Sequence, residues 1–214
     1  MKKRIVLLGP PASGKGTQAR FLFDKYAIPT VSTGQLLRAE AEAGTDLGKQ
    51  AASFTSKGQL APDELVIAVL QNWLGKGRDS YVFDGFPRTL AQATQLKPML
   101  IGEMIPLELV ILLNCDRETI EKRVRGRVTC QQCHQIFLIG LHVDSVSKPC
   151  PSCGGVLMRR PDDQPDVLAQ RMVQYSQKTA PLIEFYKSEG ILKEIDAARS
   201  AEEVSLDIQA VMIT

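Results

Sequence analysis

The apolar run Ile5-Val6-Leu7-Leu8 ends in Gly9-Pro10-Pro11-Ala12-Ser13-Gly14-Lys15-Gly16-Thr17, and a helical pattern with Ala19, Phe21, Leu22 and Tyr26 follows at once. Strand, glycine loop and helix in that order constrain the fold more than any other stretch, because such a unit belongs on a parallel sheet covered by helices. Glycines at both ends let the backbone curl so that successive N–H groups converge, and the helix adds its positive N-terminal end. That geometry cradles phosphate, with Lys15 placed to reach the outer phosphates. The hydroxyl that would face Mg²⁺ arrives at Thr17, because Gly16 directly follows the lysine.

The rest of the chain keeps the alternation going. Tyr81–Phe83, Leu107–Leu113 and Ile191–Ile195 read as short apolar or β-branched strands, and Pro29–Ser32 supplies a further one. Helical patterns cover Gly14–Tyr26, Asp63–Leu74, Thr89–Leu100, Arg117–Val124, Asp166–Ser188 and Ala201–Val211. Pro62 with Asp63 and Glu64 marks a helix start, and Ser200 with Glu203 has capping-box spacing. The expected fold class is α/β, a three-layer phosphate-loop fold with a central parallel five-stranded sheet whose ligands gather beyond the strand C-termini. Two stretches interrupt it. Residues 33–61 are helical, polar and glycine-bearing, whereas 126–163 hold four of the five cysteines and no long helical pattern.

Cys130-Gln-Gln-Cys133 and Cys150-Pro-Ser-Cys153 form two knuckles at the spacing of a structural zinc site. Four thiolates fill a tetrahedral shell and leave no position for substrate, so the metal is expected to staple a segment with little core of its own. The run Cys130-Gln-Gln-Cys133-His134 also matches a c-type haem attachment pattern, but the second knuckle and the nucleotide loop oppose that reading. Cys115, at the end of an apolar run, reads as a core thiol, and His134 and His142 as surface residues.

A chain of 214 residues with net charge +2 has room for one sizeable core and no strong field to attract nucleic acid or an anionic membrane. Four apolar residues after Met1-Lys2-Lys3-Arg4 are too short for a signal core, and no transmembrane-length run occurs. A cytoplasmic monomer without nucleic-acid or membrane partners is expected.

Further along come Ser32-Thr33-Gly34-Gln35-Leu36-Leu37-Arg38, then Asp84-Gly85-Phe86-Pro87-Arg88-Thr89 with Gln92, then Arg123 and Arg127, then Arg160-Pro161-Asp162-Asp163 and Arg171. With these residues in this order after the glycine loop, the chain resembles the adenylate kinase family over essentially its whole length, in the long-lid form whose lid binds zinc. The resemblance implies a core of 1–31, 62–125 and 164–214, a nucleoside-monophosphate-binding helical insertion at 32–61, and a zinc-bearing lid at 126–163. It implies Mg²⁺-dependent phosphoryl transfer from ATP to AMP giving two ADP, and a place in adenine nucleotide homeostasis.

Residue by residue, the resemblance gives ATP the loop positions Gly9, Ala12, Ser13, Gly14, Lys15, Gly16 and Thr17, with Arg123, Arg127, Ile136, Phe137 and Arg199. AMP is given Thr33, Arg38, Leu60, Ala61, Gly85, Arg88, Gln92, Arg160 and Arg171. Lys15, Arg88, Arg123, Arg127, Arg160 and Arg171 are implied as the catalytic cage, Asp84 as the group that orients water around Mg²⁺, and Asp162 and Asp163 as lid tethers. Cys130, Cys133, Cys150 and Cys153 are the implied zinc ligands. Ala12 stands where many relatives carry glycine, Gln35 where aspartate is usual, and residues 134–149 lack the familiar Tyr-His and Asn-Pro-Pro features.

Two rivals differ in kind. A kinase acting on UMP or CMP would carry alanine in place of Thr33 and a short lid, and a GTP-preferring donor site stays open. A zinc ribbon that binds nucleic acid would need basic and aromatic residues, yet between Thr129 and Met158 there is one lysine, no arginine and one aromatic, Phe137.

Overall fold

The computed structural model describes residues 1–57, 59–74 and 77–213. Its centre is a sheet of β1 (Arg4–Leu8), β2 (Thr30–Ser32), β3 (Tyr81–Asp84), β4 (Leu109–Asn114) and β8 (Leu192–Asp196), in the order β2-β3-β1-β4-β8 with every pairing parallel. Side chains alternate across it, so β1 sends Ile5 and Leu7 to one face and Val6 and Leu8 to the other. Helices α1 (Lys15–Tyr26) and α9 (Ala201–Ile213) cover the first face through Ala19, Leu22, Val204 and Ile208. The second face packs on α4 (Asp63–Leu74), α5 (Leu90–Gly102) and α8 (Pro181–Ser188) through Val66, Leu70, Leu96, Leu100 and Leu182. Coverage of both faces explains why the strands read as unbroken apolar runs.

Two excursions leave the sheet at its C-terminal edge. The first is a pair of helices, α2 (Thr33–Glu42) and α3 (Asp46–Thr55), with Gly58 beyond them outside the described residues. A Cβ on Gly48 would sit 2.1 Å from the Glu40 carbonyl carbon, so α3 can approach α2 this closely only without a side chain there. The second follows α6 (Arg117–Gly126) and is a small antiparallel sheet of β5 (Arg127–Cys130), β6 (Ile136–Leu138) and β7 (Leu157–Met158), in the order β6-β5-β7.

The expected single helix over 166–188 is interrupted. Between α7 (Pro165–Gln174) and α8 lies a π-turn, Tyr175–Thr179, in which Ala180 N donates to Tyr175 O across five residues. Pro181 has no N–H to give and its ring crowds the preceding turn, so the wider turn fits where an α-turn would not. Among the described residues no helix is long and apolar enough to cross a membrane.

Candidate active site

The sheet gathers its chemistry at one edge because each parallel strand delivers its following loop there. The loop after β1 opens on Gly9, where a Cβ would lie 2.6 Å from Leu113 O and φ is +145, so only glycine fits. Helix α1 starts at Gly14 with no side-chain cap and no acid in its first turn. Its leading N–H groups and positive end therefore stay available to an anion. Ala12 holds φ +60. That left-handed turn would suit glycine, and here the methyl is held against the cluster of Ile120, Val124 and Leu168.

Lys15 Nζ donates to Gly9 O and Pro10 O, both at 2.8 Å, folding back over its own loop. Burial lowers its pKa to about 7, with Asp84 opposing the shift and Arg88, Arg171 and Arg127 adding to it. Asp84 ends β3 beside the loop, its Oδ2 3.5 Å from where a Cβ on Gly16 would stand.

Beyond β2 and β3 lies a cleft of about 350 Å³ lined in part by Thr33, Leu60, Ala61, Gly85, Arg88 and Gln92. Gly85 O accepts from Thr33 Oγ1 at 3.0 Å and from Arg88 Nε at 2.7 Å, which joins the two walls. Arg88 is held at about 10, first by burial and then by the nearby Arg171. Arg160, bonded through Nε to Thr129 Oγ1 at 2.9 Å, is held at about 10 by burial and then by Arg127 and Arg38.

Arg171 Nη1 reaches Asp162 Oδ2 at 3.0 Å and Asp163 Oδ1 at 3.4 Å, while Arg127 grips Asp163 with Nε at 2.8 Å. Burial works against charge on Asp162, yet Arg171, Arg38 and Arg160 outweigh it and hold its carboxyl below the usual range. Among the described residues, buried Asp162 Oδ1 has no hydrogen-bond partner. Lys15, Arg38, Arg88, Arg127, Arg160 and Arg171 thus share one space with Asp84, Asp162 and Asp163, and the cations outnumber the carboxylates. A polyanion would relieve their repulsion.

Arg123 points elsewhere. Its Nη2 donates to Ala197 O at 2.7 Å and Arg199 O at 3.2 Å, and Nη1 to Ser13 O at 3.4 Å, so it ties the glycine loop to the segment before α9. The Arg199 side chain pairs with Asp207, leaving its backbone to face Arg123. Ile136 and Phe137 part company along β6 as strand neighbours must. Phe137 is buried with Val128, Cys150 and Leu157, whereas Ile136 Cδ1 lies 3.2 Å from a Cβ position on Gly16. The small sheet therefore rests on the glycine loop.

The four cysteine sulfurs lie within 4.8 Å of one another, with Cys130 to Cys153 at 3.5 Å and Cys133 to Cys150 at 3.7 Å. Zinc with four sulfurs at about 2.3 Å has tetrahedral edges of about 3.8 Å, so the cluster fits that ion.

The sequence matches the family model described as adenylate kinase over residues 7–191. The chain belongs to the adenylate kinase family. Curated adenylate kinases similar to it include those of Thermodesulfovibrio yellowstonii, 39% identical over 98% of both chains, and Geotalea daltonii, 39% identical over 97% of this chain and 98% of its own. That of Archaeoglobus fulgidus is 38% identical over 97% of each. The chain is therefore an enzyme of the adenylate kinase type, and its cysteine cluster fits the zinc-lid form.

Two participants have no local signal in the sequence. Asp63, which reads as a helix-start acid, bonds Gln92 and Thr89, 29 and 26 residues away. Thr179, inside the π-turn, donates to Arg88 O at 2.9 Å across 91 residues. Neither bond is visible until the helices are packed.

Proposed function

We propose that the chain catalyses reversible, Mg²⁺-dependent transfer of the terminal phosphoryl group of ATP to AMP, giving two ADP, as a cytoplasmic monomer that balances adenine nucleotides. The observation that carries this reading is the cation-rich space between the glycine loop and the Thr33–Gln92 cleft. It has the charge for two nucleotides' phosphates and stands between a site for each.

ATP lies on Gly9–Thr17, its phosphates held by loop N–H groups and the start of α1. Lys15 leaves the carbonyls of Gly9 and Pro10 for phosphate oxygens, which restore its full charge. Ile136 covers the loop; Phe137 contributes from inside the lid core through its backbone. Arg123 fixes the carbonyls of Ala197 and Arg199, and with them the edge against which adenine rests. AMP occupies the cleft, its base near Thr33, Leu60, Ala61 and Gln92, its phosphate near Arg38 and Arg88. Arg127, Arg160 and Arg171 surround the group in flight. Their planar forks match phosphate oxygens, and their charge answers the negative charge spread over the equatorial oxygens. Thr17 would offer its hydroxyl to Mg²⁺ and Asp84 would orient the water around that ion, which would screen the phosphates when bound with ATP. Residues 32–61 and 126–163 close over the substrates and exclude water that would otherwise hydrolyse ATP.

An acceptor panel of AMP, UMP, CMP and GMP with ATP or GTP as donor tests the reading. AMP with ATP should give the highest kcat/KM by a wide margin. Equal or better use of UMP or CMP would assign the cleft to a pyrimidine acceptor.

A further inference from the structure

Gln92 is 2% exposed and lines the acceptor-side cleft. A primary amide is nearly symmetric in shape, so turning it over leaves the packing intact and exchanges donor with acceptor. Here its partners forbid the exchange. Arg88 N–H, only a donor, lies 2.6 Å from Gln92 Oε1, and the Asp63 carboxylate, only an acceptor when ionised, lies 2.7 Å from Gln92 Nε2. Turned over, the amide would set oxygen against oxygen at one end and N–H against N–H at the other.

Asp63 holds the backbone of the same residue as well. Its second oxygen accepts from Thr89 Oγ1 at 3.1 Å, and Thr89 Oγ1 in turn accepts from Gln92 N at 3.1 Å as the cap of α5. Any acid would serve the positive end of α4, and Glu64 beside it is one. Both oxygens of Asp63 are instead engaged on α5. With one Nε2 proton given to Asp63 and one Oε1 lone pair taken by Arg88, Gln92 keeps one donor and one acceptor for a base, in a fixed spatial order.

We propose that Asp63 is the positioning residue that sets acceptor-base specificity, by locking the Gln92 amide in the order that adenine requires; this rests on the AMP reading of the cleft. Adenine offers a ring nitrogen that accepts and an amino group that donates. Hypoxanthine, of the same shape, offers a ring N–H that donates and an oxo group that accepts. A locked amide satisfies one and opposes the other, whereas an amide free to turn serves both. Asp63 then contributes discrimination rather than affinity for purines in general.

The probes are AMP and IMP, compared as kcat/KM with saturating ATP and Mg²⁺ in wild type, Gln92→Leu, Asp63→Ala and Asp63→Leu. Wild type should prefer AMP strongly; equal use of IMP would overturn the AMP reading itself. Given that preference, both Asp63 variants should lower the AMP/IMP ratio by about tenfold or more, the cost of one misdirected buried hydrogen bond. AMP should worsen, IMP should hold or improve, and KM for ATP should stay unchanged. A merely structural acid would weaken both acceptors together and leave the ratio alone. Asp63→Leu fills the same space without any acceptor for Gln92 Nε2, so it carries the test if Asp63→Ala does not fold. A wild-type ratio in the Asp63 variants, with collapse in Gln92→Leu, would sink the Asp63 role and spare the AMP reading. A wild-type ratio in Gln92→Leu would sink it too, because the amide would not be reading the base.

Discussion

Arg127 and Asp163 form a two-armed ion pair where the small sheet leaves and rejoins the core: Nε donates to Oδ2 at 2.8 Å and Nη2 donates to Oδ1. Both side chains are withdrawn from water, at 8% and 6% exposure, so the pair closes the throat of this excursion across 36 residues of chain.

Removing one partner should cost more than removing both. Asp163→Ala strands a buried guanidinium and is expected to destabilise the protein by about 3–5 kcal/mol, whereas Arg127→Met with Asp163→Leu should recover most of that loss. Urea unfolding midpoints give the comparison, and kcat separates the roles, since the double variant should stay inactive. A single variant no less stable than the double would show that the pair is slack.

Lys15 should make stability depend on pH. Its folded value, about 7, lies below the ordinary 10.5, so between those values the unfolded chain binds more protons and stability rises with pH. Below that window both states are charged and the full burial penalty is present. Lys15→Met lacks the penalty; it should be more stable than wild type at neutral pH, with the advantage shrinking towards about pH 9. Its kcat should fall by a factor on the order of 10², because the lost charge acts mainly in the transition state. Parallel stability curves for the two proteins would place the Lys15 ammonium in solvent.

Gly48→Ala should push α3 away from α2. The added methyl would meet Glu40 backbone at 2.1 Å, and backbone cannot turn aside as a side chain can. A cost of about 1–3 kcal/mol is expected from such overpacking. The proposed AMP wall shares this helix pair through Thr33 and Arg38, so KM for AMP should rise while KM for ATP holds. Thermal melts and acceptor kinetics check both; an unchanged melt would mean that the two helices are not packed this tightly.

Zinc should hold the small sheet together without touching the chemistry, since four sulfurs complete its shell. Cys130→Ser with Cys133→Ser is expected to abolish stoichiometric zinc and lower Tm, because metal binding and local folding are coupled. Well below that lowered Tm, with the fold checked by circular dichroism, most of the kcat should remain. A loss as deep as that of Lys15→Met would give the metal a catalytic part.

Much of the architecture is legible locally because the interactions that write it are local. The capping box of α9 appears as Ser200 N donating to Glu203 Oε2 at 3.0 Å and Glu203 N to Ser200 Oγ at 3.3 Å, both within one turn. The two cysteine knuckles are legible for the same reason, each pair being brought together by a tight turn. The π-turn is not, since a wide turn before Pro181 has no compositional mark beyond the proline itself.

The sequence by itself determined the glycine loop with its lysine, the alternation that demands a covered parallel sheet, and a thiolate set fit for zinc. Each is encoded in spacing over a few residues, where covalent geometry leaves the chain few choices. Only the tertiary structure decided that Arg123 turns to the carbonyls of Ala197 and Arg199 while Arg88, Arg127, Arg160 and Arg171 crowd together, and that Ile136 rather than Phe137 meets Gly16. It alone set Asp63 against Gln92. The reason is physical: an arginine or an aspartate has the same local preferences wherever it stands, and its partner is chosen by which loops the order β2-β3-β1-β4-β8 brings to one edge.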